Sequence, residues 1–364
     1  MRVLVATDAW RPQTNGVVET YRHLARELPA LGAELVTLTP DDFRTVPFPA
    51  YPEIRLAVPH HAHAARRIAA LAPDAIHIAT EGPVGWMARR WCRRHGLPFT
   101  TSFHTRFPEY LSARIGLPRR ISYAWLRHFH NASASTMVAT RSLATELAAR
   151  GFAHIAPWTR GVDTALFRPR PVRLFGPPPV LLYVGRVAME KSIDAFLALD
   201  VPGRKVVVGS GPELEMLRAR FPDALFTGRK VGEELAECYA SADIFVFPSR
   251  TDTFGIVMLE AMASGLPVAA LPVTGPVDVV EEGVTGALDE DLGAAVGRAM
   301  RLDRSRVRAA VSRFSWEAAA RQFLSNIEAA RQRAHDPVGL PANGAHGRAG
   351  GRPTTSQRRI GIAG

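Results

Sequence analysis

The chain has 364 residues, 47% of them hydrophobic and 22% charged, with a formal net charge of +11. That length suits two domains, each with its own core, and the two cysteines, Cys92 and Cys238, are too few for a disulfide framework or a cysteine metal site. No apolar run reaches the length of a membrane span, and Met1–Thr7 is too short for a signal segment, so a reducing cytosol is the expected compartment.

The charge is uneven. Residues 1–170 carry a net +10, residues 171–330 a net −4 and residues 331–364 a net +5. A basic half suggests an anionic partner: nucleic acid, acidic polymer or anionic lipid. Arginine-rich composition alone gives the same sum, since Lys191, Lys205 and Lys230 are the three lysines.

In chain order, Val3–Thr7 predicts a buried strand, and Gly16–Leu31 a helix with Val17, Tyr21, Leu24 and Leu28 on one face. Leu35–Leu38, Ala75–Ile78, Phe99–Ser102 and Thr136–Ala139 predict strands. Ala64–Leu71, Val84–Arg94, Ser122–His130 and Leu143–Arg150 predict the helices between and after them. This alternation implies parallel βαβ units in a doubly wound sheet. Proline-rich segments at 168–171 and 176–179 read as a linker. The pattern then restarts, with strands expected at Val180–Gly185, Lys205–Val208, Ala224–Phe226, Ile244–Phe247 and Val268–Ala270. Phe314–Glu317 opens a last helix to about Arg333, and the aperiodic chain from Pro337 reads as disordered. The expected organisation is α/β: one Rossmann-like domain at 1–168, a second at 169–312, a helix at 313–335 packing back across the cleft, and a basic tail at 336–364.

Open parallel sheets bind ligands beyond the carboxyl ends of their strands. The most informative such end is Ser249–Pro267. Asp252 and Thr253 precede a helix expected to start near Phe254, whose first amides, from Phe254, Gly255 and Ile256, suit a phosphate. Glu260 lies two turns in, about 10 Å along the axis from Asp252. That is too far for two carboxylates sharing one bond, and suits separate grips on one extended ligand. A helix cap followed by an ordinary helical glutamate has the same spacing. After the strand to Val184, Gly185 makes a turn, a helix is expected near Glu190, and Arg186 and Lys191 could converge on a diphosphate. Gly209-Ser210-Gly211-Pro212 is a Gly-x-Gly turn after another strand, and Gly228-Arg229-Lys230-Val231 follows the next. In the first half, Asn15-Gly16 opens a helix, His104 lies in Phe103-His104-Thr105 past a strand end, and Arg160 precedes Gly161-Val162-Asp163.

Together these segments resemble glycosyltransferase family 4, whose signature pairs two acids eight positions apart around Phe-Gly, followed by Glu-Ala-Met-Ala-x-Gly-x-Pro-Val. The chain departs from it in carrying Asp252 where Glu is commoner. The resemblance covers about Met1–Ala330 and implies a GT-B fold and retaining transfer of a hexosyl group from a GDP- or UDP-sugar, with no metal required. It is closest to glycolipid- and mannosyl-transferring members. It implies that Asp252 contacts the donor sugar and Glu260 the ribose. It also implies that Arg186 and Lys191 hold the diphosphate, Gly209 and Gly211 line the donor cleft, and Lys230 and Val231 face the base. Asn15 and Gly16 would lie near the donor phosphate and the acceptor, His104 would face the transferred sugar, and Arg160 would reach the cleft. The catalytic set so implied is His104, Arg186, Lys191 and Asp252.

The expected partners are a nucleotide-sugar donor, a saccharide or lipid acceptor and an anionic membrane surface at the inner face of the plasma membrane. The surface would be met by the basic, aromatic stretch Arg89–His95 with Arg119, Arg120, Arg127 and His128. His60, His61 and His63 match no usual metal spacing. Two other classes compete. A GT-B-like nucleotide-sugar epimerase would need further cleft acids, and a nucleic-acid-binding protein would need a recognition motif; the sequence displays neither.

Overall fold

The computed structural model describes residues 1–335 apart from 12, 14, 49, 50 and 178. The tail expected at 336–364 lies outside the described residues. Fourteen strands occur among them: β1 (Arg2–Ala6), β2 (Glu34–Leu38), β3 (Thr45–Phe48), β4 (Tyr51–Ala57), β5 (Ala75–Ile78), β6 (Thr100–Ser102), β7 (Ser135–Val138), β8 (Ile155–Pro157), β9 (Val180–Val184), β10 (Arg204–Val208), β11 (Leu225–Gly228), β12 (Ile244–Phe247), β13 (Val268–Ala270) and β14 (Gly286–Leu288).

Two six-stranded sheets follow, ordered β2-β1-β5-β6-β7-β8 and β11-β10-β9-β12-β13-β14. Neighbouring strands in both are parallel. Each chain half moves outward from its first strand and then returns to that strand's other side. The switch points therefore fall between β1 and β5 and between β9 and β12, where loops diverge and leave a crevice. This is the GT-B architecture of two facing Rossmann-like units. β3 and β4 form a separate antiparallel pair.

Burial explains the strand sequences. Successive side chains alternate faces. Val180, Leu182, Phe245 and Phe247 thus join one core of the second sheet, while Leu181, Tyr183, Ile244 and Val246 join the other. With helices on both faces, the strands read as continuous apolar runs. The first sheet is built likewise, with Val3 and Val5 on one side and Leu4 and Ala6 on the other.

The last helix, Trp316–His335, leaves the second sheet and packs on the first. Its Ala320, Phe323, Leu324 and Ile327 complete the core around Val3, Tyr21 and Trp158. Trp158 Nε1 donates to the Ala319 carbonyl at 3.0 Å, and Asn326 Nδ2 to the Pro157 carbonyl at 2.9 Å. The two chain crossings also touch: Val162 N donates to Phe314 O at 3.1 Å, and a Cβ on Gly161 would lie 2.3 Å from Trp316 N. Among the described residues no helix is long and apolar enough to cross a membrane. Cys92 and Cys238 are free and buried.

Candidate active site

The second switch point sets the loops after β9 and β12 side by side. Lys191 Nζ donates to Asp252 Oδ1 at 2.6 Å, and Thr251 Oγ1 donates to the Glu190 carbonyl at 3.2 Å. Burial alone would lower the Lys191 pKa, but the Asp252 carboxylate and the hydroxyls of Tyr110 and Tyr183 raise it, so the ammonium persists. Asp252 Oδ2 is buried with no hydrogen-bond partner. The ordered helix expected near Glu190 is instead a 3-10 turn, Met189–Lys191, because Ser192 takes a left-handed φ of 51° before the short helix Ile193–Leu197. Arg186 lies half-buried in this loop, its carbonyl accepting the Tyr183 hydroxyl at 3.0 Å.

The helix expected from Phe254 starts at Ile256 and runs to Ala263. Gly255 is its N-cap in the left-handed region, φ 83°, where a Cβ would meet Met258 Cε at 2.7 Å. The Phe254 ring is buried in the core and meets Phe314 edge-on at 6.2 Å, so backbone rather than ring is what this residue offers a ligand. Glu260, on the second turn, accepts the Tyr239 hydroxyl at 2.8 Å. Burial raises its pKa to about 7 despite that bond. The two acids have separate partners, as their spacing requires.

The neighbouring glycines interlock. Gly185 and Gly209 both have φ 155°, and a Cβ on Gly209 would fall 1.8 Å from the Gly185 carbonyl oxygen; one on Gly211 would fall 2.2 Å from that of Val187. Backbone approach of one loop to the next already requires glycine here. Lys230 and Val231, beyond β11, lie farther along the sheet edge. Lys230 reaches Glu234 at 3.6 Å and Val231 is exposed.

From the first domain, Asn15 caps the helix Gly16–Glu27, its side chain accepting from Val17 N at 3.0 Å and Val18 N at 3.1 Å. Those two amides are thereby taken. Gly16 faces the other helix start across the cleft, a Cβ on it lying 3.7 Å from Ile256 Cδ1. His104 meets the second domain through its backbone: its carbonyl accepts Thr253 Oγ1 at 2.8 Å. Its ring turns inward, Nε2 to Tyr21 Oη at 3.0 Å and Nδ1 to Arg160 at 3.2 Å. Arg160 is 3% exposed, also donates to the Trp158 and Thr159 carbonyls at 2.7 and 2.9 Å, and stacks on Trp158. Burial lowers its pKa to about 10, which leaves it cationic at neutral pH.

Sequence reasoning missed several contributors. Tyr110, on the helix Phe107–Ile115, lies close enough to Lys191 for its hydroxyl to raise the lysine's pKa. Tyr239 holds Glu260. Thr140 Oγ1 donates to Thr253 O at 3.3 Å, and Ser142 bonds Asp278 through both its amide, at 2.9 Å, and its hydroxyl. None lies in a spacing motif; the contacts are made by folding alone. Among the described residues no group of three His, Cys, Asp or Glu is arranged for a metal ion. His60 instead accepts from His63 N at 3.1 Å, and His63 bonds Asp42 O at 2.9 Å. Within the expected basic surface, Arg89 is buried, bonding the Phe129 and His128 carbonyls at 3.1 and 2.9 Å over Trp86. It is a core residue and not part of a charged face.

Residues 14–166 match the model for Glycosyltransferase Family 4, and residues 178–302 that for Glycosyl transferases group 1. A GDP-mannose-dependent alpha-mannosyltransferase of Mycobacterium tuberculosis is 32% identical over 92% of this chain and 98% of its own length. A GDP-mannose-dependent alpha-(1-6)-phosphatidylinositol dimannoside mannosyltransferase of the same species is 30% identical over 71% and 74%. Among solved structures, sucrose-phosphate synthase from Thermosynechococcus elongatus shares the fold with a TM-score of 0.75, at 21% identity over 89% of this chain and 97% of its own. The matches give no support to the epimerase or nucleic-acid-binding readings. With both halves matched and a relative of 32% identity aligned over almost its whole length, the chain belongs to glycosyltransferase family 4.

Proposed function

We propose that this glycosyltransferase moves a mannosyl group from GDP-mannose to a lipid-linked acceptor, with retention at the anomeric carbon. The observation that carries the donor site is the convergence at one switch point of the Lys191–Asp252 pair, the unpartnered Asp252 Oδ2 and the half-buried Glu260. A relative of near-equal length named for GDP-mannose supports the donor.

In this reading Glu260 accepts the ribose hydroxyls, Arg186 and Lys191 meet the diphosphate, and Asp252 Oδ2 takes a sugar hydroxyl. Backbone from Thr253 to Ile256 meets the phosphate, Lys230 and Val231 flank the base, and Gly185, Gly209 and Gly211 shape the floor. Asn15, Gly16 and His104 form the first-domain wall, and the buried Arg160 backs it through His104 instead of reaching the cleft. The bond from C1 to the phosphate oxygen breaks as the bond from C1 to the acceptor oxygen forms, on the same face, and the acceptor's proton passes to the departing phosphate. Charge grows on the diphosphate as this happens, so fixed cations stabilise the transition state more than the ground state. The closed cleft keeps water from taking the acceptor's place.

The lipid acceptor has support from the phosphatidylinositol-dimannoside relative and from the surface. Phe107, Ile115, Ile121 and Trp125 are 44–68% exposed on the helices Phe107–Ile115 and Arg119–His130, beside exposed Arg119 and Arg120. Apolar side chains among arginines suit an anionic interface. Thermal shifts with GDP, UDP, ADP and GDP-mannose test the donor. GDP and GDP-mannose should give the largest shifts, lost in Glu260→Ala; a larger shift with UDP would overturn the donor assignment.

A further inference from the structure

A line of buried hydrogen bonds in the first domain lies behind the cleft wall. Arg160 reaches His104 Nδ1 at 3.2 Å, His104 Nε2 reaches Tyr21 Oη at 3.0 Å, Tyr21 Oη reaches His77 Nε2 at 2.8 Å, and His77 Nδ1 reaches Thr100 Oγ1 at 2.8 Å. Tyr21, His77, Thr100 and Arg160 are all 3% exposed or less.

The line has a direction. A guanidinium only donates, so His104 Nδ1 must accept, and a neutral imidazole accepting there carries its hydrogen on Nε2. That hydrogen goes to the Tyr21 oxygen. The phenol's own hydrogen then points to His77 Nε2, where Ser102 Oγ also approaches at 2.9 Å. His77 keeps its hydrogen on Nδ1, facing Thr100. One donor-only end thus sets two tautomers. Burial, then the Arg160 charge, holds both rings neutral, with His77 pushed down to about 3. At the cleft end, the His104 carbonyl holds Thr253, the residue after Asp252.

We propose that Tyr21 and His77 are positioning residues for the transfer: oriented by Arg160, they hold His104 so that its carbonyl fixes Thr253, and with it the Asp252 loop, in the closed cleft. The proposal rests on the donor site described above, and its test has two arms. The first needs no activity. Long-range proton–nitrogen correlation spectra of the full chain labelled with 15N-histidine, assigned with His77→Asn and His104→Asn, should show His104 protonated on Nε2 and His77 on Nδ1. The reverse tautomer at His104 overturns the proposal.

The second arm is Tyr21→Phe, which keeps the ring and removes the hydroxyl. Turnover should fall about tenfold or more, because small misplacements of reacting groups are costly, while GDP affinity stays within about twofold, since Glu260 lies outside the line. Unchanged turnover in folded Tyr21→Phe, or a parallel loss of GDP affinity, overturns it. If the unaltered protein turns over no nucleotide sugar, the donor reading has failed, and the tautomers alone decide whether the line is ordered as described.

Discussion

Glu260 is a half-buried carboxylic acid whose pKa lies near neutrality, and its proton should govern nucleotide affinity. Its pKa of about 7 exceeds the ordinary 4.5 because burial disfavours the anion. Ribose hydroxyls donating to it would stabilise the anion and lower that pKa on binding. The sign follows: GDP binds tighter as pH rises, by about tenfold between pH 6 and 8, and flattens above pH 7. Titration calorimetry at several pH values checks this, with Glu260→Gln expected to lose the dependence; a flat profile in the unaltered protein contradicts it. The Lys191–Asp252 pair makes a different demand. Lys191→Ala strands a buried carboxylate and should cost about 3 kcal/mol in denaturant unfolding. Lys191→Met with Asp252→Leu should restore much of that stability but no turnover. Recovery of turnover would show that the pair is only structural. At this scale the sequence pointed to Asp252, Glu260 and Lys191 as candidates because they sit at fixed offsets from glycines and a helix start. Tyr239, Tyr110 and Tyr21 were hidden, because each reaches its partner through tertiary packing that has no local period.

Among the elements, the loops after β9 and β10 are one interlocked unit. Gly209→Ala places a Cβ 1.8 Å from a backbone oxygen at φ 155°, whereas Gly228→Ala, at φ 75°, meets nothing within 4 Å. The first should cost about 4 kcal/mol or more and the second about 1–2 kcal/mol, measured by equilibrium unfolding; similar losses would contradict the interlock. Strands with continuous apolar runs, such as β9 and β12, were legible because both their faces are buried. The pair β3 and β4 was not, because Pro47 and Pro52 read as loop while an edge pair tolerates them. β8 (Ile-Ala-Pro) and β14 (Gly-Ala-Leu) are edge strands with partly exposed residues, and a proline or glycine in each leaves no apolar run to read. The 3-10 turn at Met189–Lys191 replaced an expected helix because Ser192 breaks the handedness. The loop's chemistry was readable while its conformation was not.

At the scale of the whole molecule, the last helix makes the first domain's core depend on the chain's end. Removing residues 316–364 would uncover Val3, Tyr21 and Trp158 beneath Ala320, Phe323 and Ile327. The truncated chain should aggregate, or melt at least about 10 °C lower with loss of near-ultraviolet tryptophan signal; an unchanged melting profile would contradict this packing. The same helix and the bonds from Thr253 to His104 and from Ser142 to Asp278 bring the two halves together over the crevice. The central claim is that this crevice holds GDP-mannose and transfers its sugar with retention. The direct measurement is to incubate the full chain with GDP-mannose labelled with 13C at C1 and phosphatidylinositol in anionic vesicles, and to read the one-bond carbon–proton coupling of the lipid product. An α-mannosyl product, abolished by Glu260→Ala, is the expected result. A β-linked product, or transfer from a UDP-sugar and none from GDP-mannose, would contradict the account.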